Sequence, residues 1–421
     1  MQERKTCRIS GEPLQPLFSL RKLYISDFVS PQTQLDPKTK IELKLCLAPR
    51  SGLVQLAHTA PPEEMYRRYW YKSGTNATMT NELRQIAESA QQLIKIKPDD
   101  IFVDIGCNDG TLFRFVDPRV IRVGFDPAST NIKEAQEQAS LIIQDFFNYA
   151  AYSKSLYSQR RAKVITSIAI FYDLDEPHVF VDDIRHILDR DGLWIIQMSY
   201  LPLMLEQLAF DNICHEHLKY YSLTALKFLL DQHHLQIVDC QLNDVNGGSF
   251  RIYIRKEEAS PAKFATAPYR DVAAFRVRSI LAYEKTLNLN RPAPYLNFFK
   301  RSLGLRKQTV DFIKKEKERG KKIWGYGAST KGNTLLQWFH LDHRLIEGIA
   351  ERSPAKYGLY TVGTNIPIFS EEEMRRAQPD YLLILPWHFI SEFKEREAEF
   401  LNRGGKFIVP CPSFEIIGKE S

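Results

Sequence analysis

The segment IFVDIGCNDGTLFRFV (residues 101–116) decides how the rest of the chain is read. An apolar, β-rich run leads into a Gly-containing turn, after which Leu112, Phe113 and Val116 return at helical spacing. The pattern predicts strand, tight turn and helix, the unit at which open α/β sheets bind nucleotides.

The turn is not GxGxxG. Asp104 stands inside the strand, and Asn108 and Asp109 flank Gly106 and Gly110. Acidic groups there repel a diphosphate and suit a cationic ligand with an amino-acid end, the character of S-adenosylmethionine; the bland alternative is a buried strand and turn. Outward from it, IRVGFDPA (121–128) reads as a second strand whose terminal Asp126 is placed for ribose hydroxyls. SLIIQDFFN (140–148) gives a third strand, with Asp145 a candidate for the adenine amino group. Strands follow in 162–177, 192–201, 235–244 and 247–256, the last two forming a hairpin through Gly247 and Gly248. A mostly parallel sheet with an antiparallel edge is the arrangement of a class I methyltransferase.

Around this domain the chain divides. Residues 1 to about 60, with Pro13, Pro16, Pro31, Pro37 and Pro49, predict a small loop-rich lobe. Helical spacing runs from Thr80 to Lys95, closed by Pro98. After the Ala- and Pro-rich stretch 257–271 come helices to Glu318, then a second strand, Gly-rich turn and helix in KKIWGYGASTKGNTLLQWF (321–339). Domains are expected at 1–75, 76–257 and 258–421.

With 44% hydrophobic and 26% charged residues the chain is globular, and its net charge of +6 is spread in short mixed runs, which does not favour nucleic acid. No run approaches a membrane span and the first residues lack a signal-peptide core, so a cytoplasmic protein is expected. Six scattered cysteines suit reduced thiols.

The second turn (Gly325 to Gly332) offers backbone N–H groups, hydroxyls and Lys331, with nothing acidic in the segment. It reads either as a phosphate cradle or as a turn that lets strand and helix pack; it is no Walker motif. A third segment, DNICHEHLKYYS (211–222), sets His215, Glu216 and His217 together. A catalytic base, an H-x-H metal pair and an ordinary polar loop are its three readings; no matching Asp/His set follows downstream, so no metal is expected there.

VDIGCNDGTL, NICHEHLKYYSL, NGGSFRIYI, GYGASTKGNTLLQ and LPWHF, in this order, resemble the bacterial nucleotide-sugar (deoxysugar) C-methyltransferases over nearly the whole chain. The resemblance implies an α/β protein of three parts: a small zinc-binding lobe, a class I Rossmann-like domain holding S-adenosylmethionine, and a C-terminal Rossmann-like domain closing over a sugar nucleotide. It implies methylation of a 4-keto-6-deoxyhexose, typically at C3. Its pocket residues carry over as Glu216 and His217, with His217 assigned as base and Glu216 orienting it or holding a sugar hydroxyl. Tyr71 corresponds to a tyrosine reaching the sugar, unless the 65–79 aromatic stretch merely packs. Asn246, Ser329, Lys331 and Asn333 complete the substrate candidates.

Two departures stand out. The expected Cys-x-x-Cys pairs read CRIS and CLAP, so Cys7 and Cys46 keep company with Ser10 and Pro49, and zinc is expected to be lost. Cys214 stands where related enzymes carry a tyrosine. An O-methyltransferase and a non-catalytic carbohydrate-pathway protein remain rival readings, and monomer and dimer are both compatible with the sequence.

Overall fold

The computed structural model describes residues 3–67 and 70–419, so Arg68 and Tyr69 of the aromatic stretch lie outside the described residues. Its centre is a seven-stranded sheet in the order Leu235–Asn243, Ser249–Lys256, Leu188–Ser199, Ala162–Ile168, Ile101–Ile105, Ile121–Phe125, Leu141–Ile143. Ser249–Lys256 runs antiparallel to both neighbours and the other pairs are parallel. The chain winds outward from Ile101–Ile105 in one direction, then returns to Ala162–Ile168 on its other side. That reversal opens a crevice at the carboxyl ends of the two strands, where the acidic turn sits.

The helix ahead of the sheet is Ala77–Leu93; it starts earlier than the apolar spacing suggests because Asn76 caps it, accepting the Met79 N–H at 3.1 Å. The expected helix after the acidic turn is corrected to a single 3-10 turn, Thr111–Phe115. Pro118 disfavours a helical Asp117, and the chain leaves extended at Val116.

A six-stranded sheet follows in the order Ile368–Ser370, Ile349–Glu351, Ile323–Tyr326, Tyr381–Ile384, Lys406–Val409, Glu415–Ile417, parallel but for the last strand. Its two outer strands are three residues each, too short to show a period in the sequence. Helices Ala267–Thr286 and Ala293–Glu318 connect the two sheets.

The lobe is more regular than its prolines suggest. Gln15–Leu23, Ile41–Ala48 and Leu53–Leu56 form an antiparallel sheet, with Pro16 on its edge strand, where a missing N–H is tolerated. The fourth strand, Lys219–Tyr220, comes from the segment just after His217 and pairs with Val54 and Gln55. Apolar packing is continuous from Leu45 and Leu56 of the lobe through Phe210, Ile213 and Leu218 to Trp338 and Phe339. Segment 210–222 is therefore held by lobe, central sheet and C-terminal part at once.

The lobe's residues do not fit a structural zinc. Of the four expected positions only Cys7 and Cys46 are thiols; Ser10 and Pro49 hold the other two, and a proline cannot ligate. Glu12 ties the two turns instead: its carboxylate accepts Ser10 Oγ at 2.7 Å and the backbone N–H groups of Arg50 and Ser51 at 2.9 and 3.0 Å. No described helix is long and apolar enough to cross a membrane.

Candidate active site

At the crevice, six donor-site candidates come together. Asp104 is buried, accepts the Thr166 hydroxyl at 2.6 Å, and is pushed up to about 7 by burial. Gly106 (φ 74°) could not carry a Cβ, which would meet Ile170 Cγ2 at 2.7 Å. Asn108 (φ 53°) donates its backbone N–H to Asp126 Oδ2 at 2.8 Å, and Asp126 Oδ1 takes the Ala128 N–H at 2.8 Å. Burial raises Asp126 despite those bonds. Gly110 (φ 73°) closes the turn, and Asp109 Oδ1 accepts from Thr111. Asp145 stands apart, half exposed at the end of the third strand and 3.6 Å from Arg67 Nη2.

Residues 71–75 lie across this turn. Ser73 N donates to Asn108 Oδ1 at 2.9 Å and Gly74 N to Asp109 Oδ2 at 2.8 Å, while the Tyr71 carbonyl accepts from Asn108 and Asn131 side chains. Tyr71 thus belongs to the donor turn through its backbone. From this stretch the phenol that touches the 211–222 loop is Tyr66, whose OH donates to the Glu216 carbonyl at 3.3 Å.

The 211–222 loop brings Glu216 and His217 into one buried cluster with Cys214. His217 Nδ1 lies 2.9 Å from the Asn212 carbonyl, which only accepts, so Nδ1 carries the proton and the neutral ring's lone pair is on Nε2. Asn212, rather than Glu216, orients this ring, which packs on Tyr172 at 4.3 Å between centroids. Burial, then the nearby Lys331 charge, push His217 down to about 3, favouring its neutral form. His215 donates Nε2–H to the Ile41 carbonyl at 3.1 Å and ties the loop to the lobe.

Glu216 behaves oppositely. Burial pushes its carboxyl up to about 7, outweighing hydrogen bonds from Thr330 and Cys214 and the charge of Lys331. It also faces open space: with Thr330, Asp27, Trp70 and Arg67 it lines a cleft of ≈ 880 Å³ between lobe and C-terminal part. His217 instead lines a cavity of ≈ 10 Å³ with Tyr172 and Lys219, space for about one water.

The motifs of the C-terminal part converge on the same loop. Lys331 Nζ donates to Asn212 Oδ1 at 2.6 Å, and Trp387 of LPWHF donates to Asp211 at 3.0 Å. The turn at Asn246 (φ 54°) abuts that indole: a Cβ on Gly247 would meet Trp387 at 2.9 Å. Ser329 and Asn333 are engaged elsewhere, Ser329 Oγ capping Gly332 N at 3.0 Å and Asn333 Nδ2 donating to the Asp27 carbonyl at 2.8 Å. The turn that reads as free of acid in the sequence receives Glu351 from the next strand, which accepts the Ala328 N–H at 3.0 Å. Lys356 Nζ pairs with the same Glu351 oxygen at 3.3 Å and with the Ala328 carbonyl at 2.7 Å, so this turn's polar groups already have partners from the protein.

Asn212, Tyr66 and Trp387 are not among the residues the sequence singles out, and Thr330, one of the hydroxyls of the 325–332 turn, bonds Glu216 instead of standing free for a phosphate. Each lies in a stretch that stands out in the sequence, Asn212 at the start of NICHEHLKYYSL, Thr330 in GYGASTKGNTLLQ, Tyr66 in the 65–79 aromatic stretch and Trp387 in LPWHF, but their contacts with the loop are set by long-range packing.

Family profiles match three successive stretches: "Putative zinc binding domain" at residues 7–66, "Methyltransferase domain" at 78–239 and "C-methyltransferase C-terminal domain" at 244–412. The C-methyltransferase NovU of Streptomyces niveus is 30% identical over 387 residues, spanning 91% of this chain and 89% of that protein. Among solved structures, the plantazolicin methyltransferase BpumL in complex with SAH covers 41% of this chain and 82% of its own, at 12% identity and a TM-score of 0.33. An S-adenosylmethionine-dependent methyltransferase from Clostridium acetobutylicum ATCC 824 covers 42% and 90%, at 12% identity and a TM-score of 0.33.

Proposed function

We propose, from the premise that the chain belongs to the S-adenosylmethionine-dependent C-methyltransferase family, that it methylates a nucleotide-linked 4-keto-6-deoxyhexose at C3, with Glu216 rather than His217 as the proton acceptor. The observation that carries this reading is a buried carboxyl, pushed up to about 7, on the floor of a cleft of ≈ 880 Å³.

A C–H bond is no nucleophile, whereas the enolate left when a proton beside a ketone is removed attacks an electrophilic methyl group. A general base for that step is most effective with a pKa near the operating pH. Glu216 meets that condition, and His217, held near 3, does not. The proton goes to a Glu216 oxygen, and His217 stays neutral. S-adenosylmethionine supplies the methyl group when bound. Asp104, Gly106, Asn108, Asp109, Gly110 and Asp126 would hold it: buried acidic oxygens favour a cation, and the glycine backbone leaves room for it. Asp145 would bound the far end of that site.

The nucleotide part of the substrate fits the lobe side of the cleft better than the Gly325 to Gly332 turn, which Glu351 and Lys356 already partner. Lys22, Lys38 and Lys40 line the cleft beside the acidic Glu42, Glu63 and Glu64, with Tyr24, Phe28 and Trp70 offering rings for a stacked base and the lysines cations for phosphates. Lys331 holds Asn212 and thereby the loop.

The test is solvent exchange. In deuterated buffer, ring protons beside the ketone of a 4-keto-6-deoxyhexose nucleotide are followed by NMR with wild type, Glu216→Gln and His217→Asn, alongside methylation. Exchange lost in Glu216→Gln and retained in His217→Asn is expected. The reverse returns the base to His217, and methylation of a hydroxyl without any exchange replaces the reaction by O-methylation.

A further inference from the structure

Outside proton transfer, the 211–222 loop carries a donor set that the mechanism leaves unused. Cys214, Glu216 and His217 are all buried, and a sulfur, a carboxylate oxygen and an imidazole nitrogen lie within 4.8 Å of one another. The Cys214 sulfur stands 3.7 Å from Glu216 Oε2, donating its S–H. With bond lengths of about 2.3 Å to sulfur and 2.0 Å to oxygen, two ligands of a tetrahedral zinc are about 3.5 Å apart, so this edge is already near coordination distance.

A second observation points the same way. His217 gives Nδ1–H to the Asn212 carbonyl, the arrangement that fixes the tautomer of metal-ligating histidines and presents Nε2. Asn212 is itself held by Lys331 at 2.6 Å. A thiolate and a carboxylate balance a divalent cation, the imidazole adds no charge, the nearby Lys331 ammonium is held by Asn212, and the cleft, which Glu216 alone of the three lines, gives entry and a water for the fourth position. The sequence hides the site because its reading turned on the two histidines, and His215 is turned away to Ile41.

We propose that Cys214, Glu216 and His217 form a binding site for one thiophilic divalent cation, zinc being the best match. Binding releases the Cys214 S–H proton, and the Glu216 proton where present, to solvent. On the function proposed above, which this inference deepens, the ion occupies the oxygen that receives the substrate proton, so zinc inhibits methylation.

The full-length, chelator-stripped protein is titrated with zinc against a chromophoric chelator and with cobalt by absorption, and Cys214 alkylation is mapped by mass spectrometry with and without zinc. One equivalent bound, a sulfur-to-cobalt charge-transfer band and protection of Cys214 are expected. Cys214→Ala should weaken binding more than tenfold, whereas Cys46→Ala in the lobe should not. No stoichiometric binding, or binding that follows Cys46 and leaves Cys214 unprotected, overturns the site; the wild-type readouts decide even if a variant fails to fold. Because none of these readouts needs a sugar, bound zinc in a protein that methylates no ketosugar would sink the function and leave the site standing.

Discussion

Replacing Glu216 by Gln should make the protein more stable above neutral pH while abolishing turnover. The folded carboxyl titrates at about 7 against an ordinary 4.5, because burial disfavours its charged form. At about 1.4 kcal/mol for each unit of pKa, holding it ionised in the fold costs about 3 kcal/mol. The sign follows from proton binding: between pH 4.5 and 7 the folded state keeps a proton that the unfolded state has lost, so wild-type stability falls as pH rises through that window. Gln has no such proton and retains an oxygen to accept from Thr330 and Cys214. The variant should match wild type near pH 4.5, gain progressively to pH 7 and hold a constant advantage above it. If the surrounding domain unfolds as one unit, about 3 kcal/mol corresponds to roughly 6 to 12 °C at pH 8. Thermal melts of both proteins from pH 4.5 to 8.5 measure it. A variant less stable at pH 8, or a difference independent of pH, would refute the reasoning, because Glu216 would then be stabilised as an anion by Lys331.

Glu12→Gln should destabilise the lobe by about 1 to 3 kcal/mol in urea unfolding of the chelator-stripped protein, since one carboxylate serves both turns. Asp126→Ala should raise the S-adenosylmethionine dissociation constant at least tenfold by calorimetry, the equivalent of about 1.4 kcal/mol; unchanged affinity would remove Asp126 from the site. Gly247→Ala places a Cβ 2.9 Å from Trp387 at φ 81°, so it should shift tryptophan fluorescence and lower turnover. Turnover per enzyme should rise with pH through about 7, as the Glu216 carboxylate forms.

The chain by itself determined the class of fold and the chemistry of the donor turn. A strand, an acidic Gly-containing turn and a following acid at the next strand's end are local patterns, and backbone geometry leaves them little alternative. Motif order carried the family for the same reason: each motif is contiguous. Tertiary structure decided everything that depends on segments far apart in sequence. It spliced Lys219–Tyr220 into the lobe sheet, brought Glu351 to a turn that reads as free of acid, and turned Asn333 toward Asp27. It also gave Glu216 and His217, whose polar atoms stay within one cluster, different surroundings, Glu216 lining the large cleft and His217 a cavity of ≈ 10 Å³. Which of two adjacent titratable groups is poised near pH 7 depends on desolvation and on Lys331, more than a hundred residues downstream, and no local pattern encodes either.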